Sequence, residues 1–227
     1  MITQTLLCLK RLILYLIPCV VVLLPVRLFT HIPAYIFRKL LHMVAFTCVT
    51  LMIVFADTWQ AASLTSLIIA GAAYPILAVL EDKPWFSRLF VEKSHGEICR
   101  SLWMLFGMFA ALTAVSWGIF HSPERAAISV LMWGIGDACA ALIGIPFGKH
   151  KIYISPVNGK KSWEGSTAML ISSLVCGLLF ISLTGTELSV LTVVTAALAG
   201  TLTELFTPSE YDTVTVPAVI LTVLLIL

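Results

Sequence analysis

Eight runs of apolar residues follow one another along this chain, separated by short polar connections, and that succession decides most of what it can fold into. The runs cover 12–29, 40–56, 60–80, 101–120, 126–146, 166–184, 188–206 and a shorter 214–227. A helix needs roughly 20 apolar residues to cross the hydrocarbon layer of a membrane. Lipid offers backbone N–H and C=O groups no partners, so each run must close its hydrogen bonds internally, as a helix. Strands of a membrane barrel would alternate over about 10 residues, and no such alternation is present. Composition agrees: 11% of residues are charged, against about 25% in a soluble domain. The expectation is an all-α, polytopic integral membrane bundle of seven to eight transmembrane helices. No stretch is long and polar enough for a soluble domain, so residues 1–227 are expected to form a single transmembrane domain.

The first run follows Lys10 and Arg11, as in a signal peptide, but no small-x-small cleavage site follows it. A retained first helix is expected. Six cysteines (8, 19, 48, 99, 139, 176) are scattered with no C-x-x-C spacing. That argues against a disulfide framework or a zinc site and for small apolar packing residues. Residues 81–100 read as an interfacial amphipathic stretch with Trp85, Phe86, Leu89 and Phe90 inward. Trp59, Trp103 and Trp117 lie near helix ends, as in an aromatic belt.

Charge orients the bundle. With eight helices, alternate connections collect Arg27, Arg38, Lys39, Lys83, Arg88, Lys93, Arg100, Lys149, Lys151, Lys160 and Lys161. Only Lys10, Arg11 and Arg125 of the 14 Lys and Arg fall in the other set. The positive-inside rule puts the larger set in the cytoplasm, with the 207–213 turn on the same side.

One cytoplasmic loop is unusual. "FGKHKIYISPVNGKKSWEGSTAM" (147–169) holds Lys149, His150, Lys151, Lys160 and Lys161 between two apolar runs. Before it, the fifth run carries Asp137 within the membrane, and an intramembrane carboxylate is by default a functional residue. Around Asp137 the residues are small: Gly134, Gly136, Ala138, Ala140, Ala141, Gly144 and Gly148. Asp137, Ala140, Ala141, Gly144 and Gly148 share one bare helical face. It suits either close packing of another helix or a bound phosphate chain and metal. After the loop, Ser162 reads as an N-cap with Glu164 in the first turn. Lys160 and Lys161 stand just ahead of that helix start, and Gly159 and Gly165 flank it. Free N–H groups and the dipole there favour an anion. Glu204 ends the seventh run and Asp212 opens the eighth. Four carboxylates and these lysines at one membrane face are the ingredients of a Mg²⁺–nucleotide site. "NGKKS" is not a Walker A loop, having neither the earlier glycine nor a preceding strand.

"GDACAALIGIPFGKHK", "GKKSWEGS" and "EYDTVTVP" together resemble the CTP-dependent lipid kinases, the family of dolichol kinase, phytol kinase and the CTP-using diacylglycerol kinase. "FRKLLHM", with Arg38, Lys39 and His42, resembles the Arg-Lys-x-x-His element of the phytol kinase branch. The resemblance covers about residues 37–220. The middle motifs are also similar to phosphatidate cytidylyltransferase. The kinases carry an Asp-Asn-x-Thr-x-Pro run near their C-terminus. Here Asp212, Thr213, Thr215 and Pro217 match it, with Thr213 in place of Asn and no glycine ahead of the Asp.

The resemblance implies transfer of the γ-phosphoryl group of CTP to the hydroxyl of a membrane lipid, with Mg²⁺, on the cytoplasmic side. It implies Asp137 and Asp212 as metal-associated and catalytic carboxylates, with Glu164 supporting metal or lysine geometry and Glu204 as the alternative to Asp212. Gly136, Gly144, Gly148, Lys149, His150, Lys151, Gly159, Lys160, Lys161 and Ser162 would line the nucleotide, and Arg38 and His42 the lipid headgroup. The partners are then CTP and a lipid alcohol (diacylglycerol, phytol or polyprenol), with no nucleic-acid polymer. Two alternatives stand beside it. A CTP:phosphatidate cytidylyltransferase would use the same residues while a lipid phosphate attacks the α-phosphorus. A small transporter would use Asp137 in an ion path, but shows no internal repeat.

Overall fold

The computed structural model describes residues 1–30, 32–83, 86, 96–155, 157, 159–208 and 211–227. The described residues form eight helices and no strand. They are α1 (Ile2–Phe29), α2 (Ala34–Val54), α3 (Trp59–Leu80) and α4 (Glu97–Thr113), which runs on through a π-helical turn, Ala114–Ile119. Then come α5 (Pro123–Phe147), α6 (Trp163–Thr184), α7 (Val190–Phe206) and α8 (Asp212–Ile226). α1 to α6, with α4 counted through its π turn, are long and apolar enough to cross a membrane; α7 and α8 are shorter apolar helices. At 17 and 15 residues, these two are roughly 25 and 22 Å long at 1.5 Å per residue. The chain is a multi-pass helical membrane protein. Of the interfacial stretch expected over 81–100, Trp85, Leu89, Phe90 and His95 lie outside the described residues, while Phe86 is buried.

Several helix starts follow capping chemistry. Thr58, Ser162 and Ser189 each accept a hydrogen bond from the N–H three residues on, and Pro123 takes the first position of α5. α1 begins ten residues before its apolar run, because Lys10 and Arg11 are good helix formers even though they are poor membrane residues. α2 begins at Ala34 and not at 40. That difference is consequential, since it places Arg38, Lys39 and His42 on a helix.

α5 is the hub. Its most extensive contact is with α6, and it also packs on α2, α8 and α4; α1 sits at the edge against α2 and α3. In lipid, helices gain little from burying leucine against leucine and associate instead through close packing at small residues. The seams here show it. Phe46 of α2 lies directly on Gly134 of α5, where a Cβ would come within 2.0 Å of the ring. There Phe46 meets Trp133 and Phe109 edge-on, at centroid distances of 4.6 and 5.1 Å. Gly177 of α6 seats Val193 of α7, and Gly200 of α7 seats Ile220 of α8.

Contacts also identify the two ends of the bundle. At one end Arg11 of α1 reaches the Phe55 carbonyl at the close of α2, and Arg125 of α5 reaches the Leu225 carbonyl at the end of α8. At the other end the start of α2 meets α5, and the start of α6 meets the end of α7. α1 and α2, α5 and α8, and α6 and α7 thus run in opposite directions.

Candidate active site

The bare face of α5 is filled by α6. A Cβ on Gly136 would strike Ser173 Oγ at 2.2 Å, one on Gly144 would stand 3.2 Å from Gly165 Cα, and one on Gly148 would meet Oγ of Ser162, the cap of α6, at 2.4 Å. Ser173 locks the seam by donating to the Met132 carbonyl at 2.9 Å. Of the two uses open to this face, close packing is visible along this seam. Gly136, Gly144 and Gly148 act by letting α6 approach, and that approach fixes the loop between the helices.

The loop folds back on itself. Lys151 and Ser162 form an isolated antiparallel bridge. Ile152 N–H donates to the Lys161 carbonyl (3.0 Å), Gly159 N–H to the Ile152 carbonyl (2.8 Å) and Trp163 N–H to the His150 carbonyl (3.1 Å). Ile152 and Val157 are buried as plugs. Gly159 has φ +82°, a left-handed conformation that L side chains rarely adopt, with the Tyr153 ring packed against it.

Glu164 organises this loop. Its Oε1 accepts from the N–H groups of Lys149 (3.2 Å) and His150 (3.1 Å) and lies 2.7 Å from His150 Nδ1. Trp163 N–H and Gly165 N–H are also bonded, to the His150 carbonyl and to Ser162 Oγ. The expected cluster of free N–H groups at this helix start is therefore already partnered: the anion on the loop amides is the protein's own carboxylate. The loop's free positive charge is on side chains. Lys149, Lys151 and Lys160 are exposed, without an ion pair among the described residues.

Lys161 points the other way. Its Nζ lies 2.8 Å from Glu204 Oε1 and also donates to the Glu204 carbonyl. A matching pair lies beside it, with Lys39 Nζ of α2 at 2.6 Å from Asp137 Oδ2. Asp137 is ten residues from the end of α5, roughly 15 Å along its axis, and the long Lys39 side chain reaches in to it. Asp137 also feels His42 and Lys161, and Asp212 feels Asp137, Lys161, Lys39 and Glu204. Thus α2, α5, α7, α8 and the loop bring Lys39, His42, Asp137, Lys161, Glu204 and Asp212 into one electrostatic cluster at one end of the bundle. Thr213, standing where the resemblance places Asn, donates to Asp212 Oδ1 at 3.4 Å.

Arg38 takes a different direction. It pairs with Glu97 of α4 at 3.3 Å, about 100° around α2 from Lys39. Lys39 is the residue that motif reading left without a role, although the signal was present: Lys39 and His42 are three apart and share a helical face. The buried hydroxyls of Ser166 and Thr201 were also missed. They have no hydrogen-bond partner among the described residues, and Thr201 lies one turn before Glu204 on α7. Nothing in their sequence context separates them from the many helical Ser and Thr that bond back to the preceding turn.

Among the described residues no three His, Cys, Asp or Glu side chains converge as a metal cage. Mg²⁺ does not require such a cage. The ion seldom uses an all-protein cage and commonly takes one or two carboxylates plus substrate phosphates. Asp137 Oδ1 and the Asp212 carboxylate, neither engaged by a lysine, suit that mode.

A family model described as the cytidylyltransferase family matches residues 1–209. Phytol kinase of Synechocystis sp. is 31% identical over 194 residues, 82% of this chain and 76% of that protein. No solved structure matches.

Proposed function

Because the chain belongs to the cytidylyltransferase family, among its CTP-dependent lipid kinases, we propose that it moves the γ-phosphoryl group of CTP onto the hydroxyl of a long-chain alcohol in the cytoplasmic leaflet. It is a phosphotransferase with a lipid alcohol as acceptor, and the relative's name favours an isoprenoid alcohol of the phytol type. The observation that carries the reading is the cluster itself: three carboxylates and two lysines from five parts of the chain lie within electrostatic reach of one another toward one end of the bundle. Residues 1–227 work as one catalytic unit, since the cluster draws on elements from α2 to α8.

Phosphoryl transfer needs mainly positioning and charge neutralisation. Lys149, Lys151 and Lys160 attract the nucleotide at the rim, and Lys161 holds it deeper. Asp137 faces the triphosphate, and a Mg²⁺ ion carried with it would neutralise charge between the phosphates and this carboxylate. Asp212, free of any ion pair among the described residues, orients the acceptor hydroxyl and takes its hydrogen bond. Glu204 holds Lys161, and Glu164 holds the loop. Exposed Phe147, Tyr153, Ile154, Trp163 and Tyr211 surround this end and suit the headgroup boundary, where aromatic side chains concentrate. A soluble nucleotide and a lipid hydroxyl can meet only at that boundary.

The family model's description favours one alternative, a cytidylyltransferase in which a lipid phosphate attacks the α-phosphorus of CTP. One experiment separates the two. Purified protein is given γ-³²P-CTP, Mg²⁺ and a panel of phytol, diacylglycerol and polyprenol, with Asp137→Asn and Lys160→Ala beside it. Labelled lipid phosphate, lost in both variants, is the expected result. Labelled pyrophosphate on addition of phosphatidate, with no labelled lipid, would overturn it.

A further inference from the structure

The two partly buried ion pairs raise a problem for any anionic ligand. Lys39 and Asp137 side chains are 13% and 28% exposed, Lys161 and Glu204 10% and 12%. With Asp212, the cluster holds two ammonium groups against three carboxylates. Its own charge is net negative, and each deep lysine is already taken. A triphosphate entering this arrangement would meet repulsion, because at these depths charges are poorly screened by solvent or salt.

Stability gives little reason for such pairs. Desolvating two charges commonly costs as much as their attraction returns, and apolar replacements are often as stable. Here two pairs stand side by side at the end of the bundle, within charge reach of one another. Each joins elements far apart in the chain, across 98 and 43 residues. In each, the cation is a lysine, whose flexible stem and three rotatable donors can turn to a new partner, rather than an arginine with its fixed fork.

We infer that Lys39 and Lys161 are exchangeable counterions: in the substrate-free protein they occupy Asp137 and Glu204, and on nucleotide binding they turn to the phosphates and leave Asp137 open to the accompanying divalent cation. Lys39 thereby becomes a phosphate-binding residue. The exchange makes binding ordered. A divalent cation alone must compete with an ammonium group 2.6 Å from Asp137, so metal and nucleotide enter together. The site stays closed to free cations at the membrane surface. This inference rests on the proposed nucleotide-binding function.

The test uses opposite signs on two ligands. Purified full-length protein in detergent is titrated with Mn²⁺ alone, the free ion being followed by electron paramagnetic resonance. Lys39→Met is expected to bind Mn²⁺ at least tenfold more tightly than wild type, and Lys39→Met/Asp137→Asn to lose that gain. Equilibrium dialysis with labelled CTP and Mg²⁺ is expected to show at least tenfold weaker nucleotide binding by Lys39→Met. A lysine that merely holds the fold would, when removed, weaken both ligands. A folded Lys39→Met with no gain in Mn²⁺ affinity, or with unchanged CTP affinity, overturns the inference. Should Lys39→Met not fold, Lys39→Gln, which keeps a polar contact to Asp137 without the charge, is held to the same two readouts. The Mn²⁺ titration needs no nucleotide. Wild type that binds no CTP while Lys39→Met gains Mn²⁺ therefore refutes the proposed function and the nucleotide half of the exchange, while supporting the competition at Asp137.

Discussion

Asp137 is where α2, α5 and the basic loop meet electrostatically, with Lys39 on one oxygen and His42 and Lys161 nearby. Asp137→Asn keeps the shape and removes the charge. Loss of one preorganised electrostatic group costs on the order of 100-fold in kcat, and a drop of at least that size is expected in the radiolabel assay, with the protein still folded. Lys161 and Glu204 predict a stability effect. Lys161→Met strands a buried carboxylate and should cost about 3–5 kcal/mol. Adding Glu204→Gln should return most of it, checked by thermal melting in the same detergent. The carboxylates were legible in the sequence because a charge in an apolar run is conspicuous. Lys39 was not, because it stands beside Arg38 at the edge of a run, and only a helix start at Ala34 turns the two residues in different directions.

The helix pair α5–α6 works as one element. Its seam is Gly136, Gly144, Gly148 and Gly165, and it sets where the loop begins and ends. Overpacking a close seam typically costs about 1–3 kcal/mol. Gly144→Val is expected to lose that much in melting experiments and to disturb activity through the loop. Gly71→Ala on α3, where nothing lies within 4 Å of the added Cβ, should leave the midpoint unchanged or raise it. Ser162 serves both helices, capping α6 at Gly165 N–H and packing against Gly148. Ser162→Ala should therefore cost at least the ~1 kcal/mol of a lost cap. The small residues were visible in the sequence, but spacing alone fits both a partner helix and a ligand. Three-dimensional packing shows the helix along this seam.

At the scale of the whole molecule, the arrangement of ends carries a prediction about sidedness. Lys160 and Glu187 are exposed in the connections at opposite ends of α6. In a cysteine-free background, Lys160→Cys should react with a membrane-impermeant maleimide only from the cytoplasmic face, and Glu187→Cys only from the other. Labelling intact cells against inverted vesicles checks both. The same pattern from one face would refute the eight-pass path. α7 and α8 are short for the membrane, and both bring a carboxylate to the end of the bundle that holds Lys161: Glu204 two residues from the close of α7, Asp212 at the first residue of α8. Their turn is thereby held at the height of Lys161.

The sequence by itself determined the class of molecule, the order of the apolar helices among the described residues and the charged residues proposed for its chemistry. These follow from one-dimensional quantities: the length of apolar runs, the placing of cations and the presence of carboxylates where lipid disfavours them. Only the tertiary structure decided which charges meet. Lys39 finds Asp137 across 98 residues and Lys161 finds Glu204 across 43, whereas Glu164, three residues from Lys161, turns back to the loop amides. Partner choice depends on the rotation of each helix about its axis and on how closely the glycines let two axes approach. Those are properties of packed surfaces, which a linear pattern constrains but does not specify.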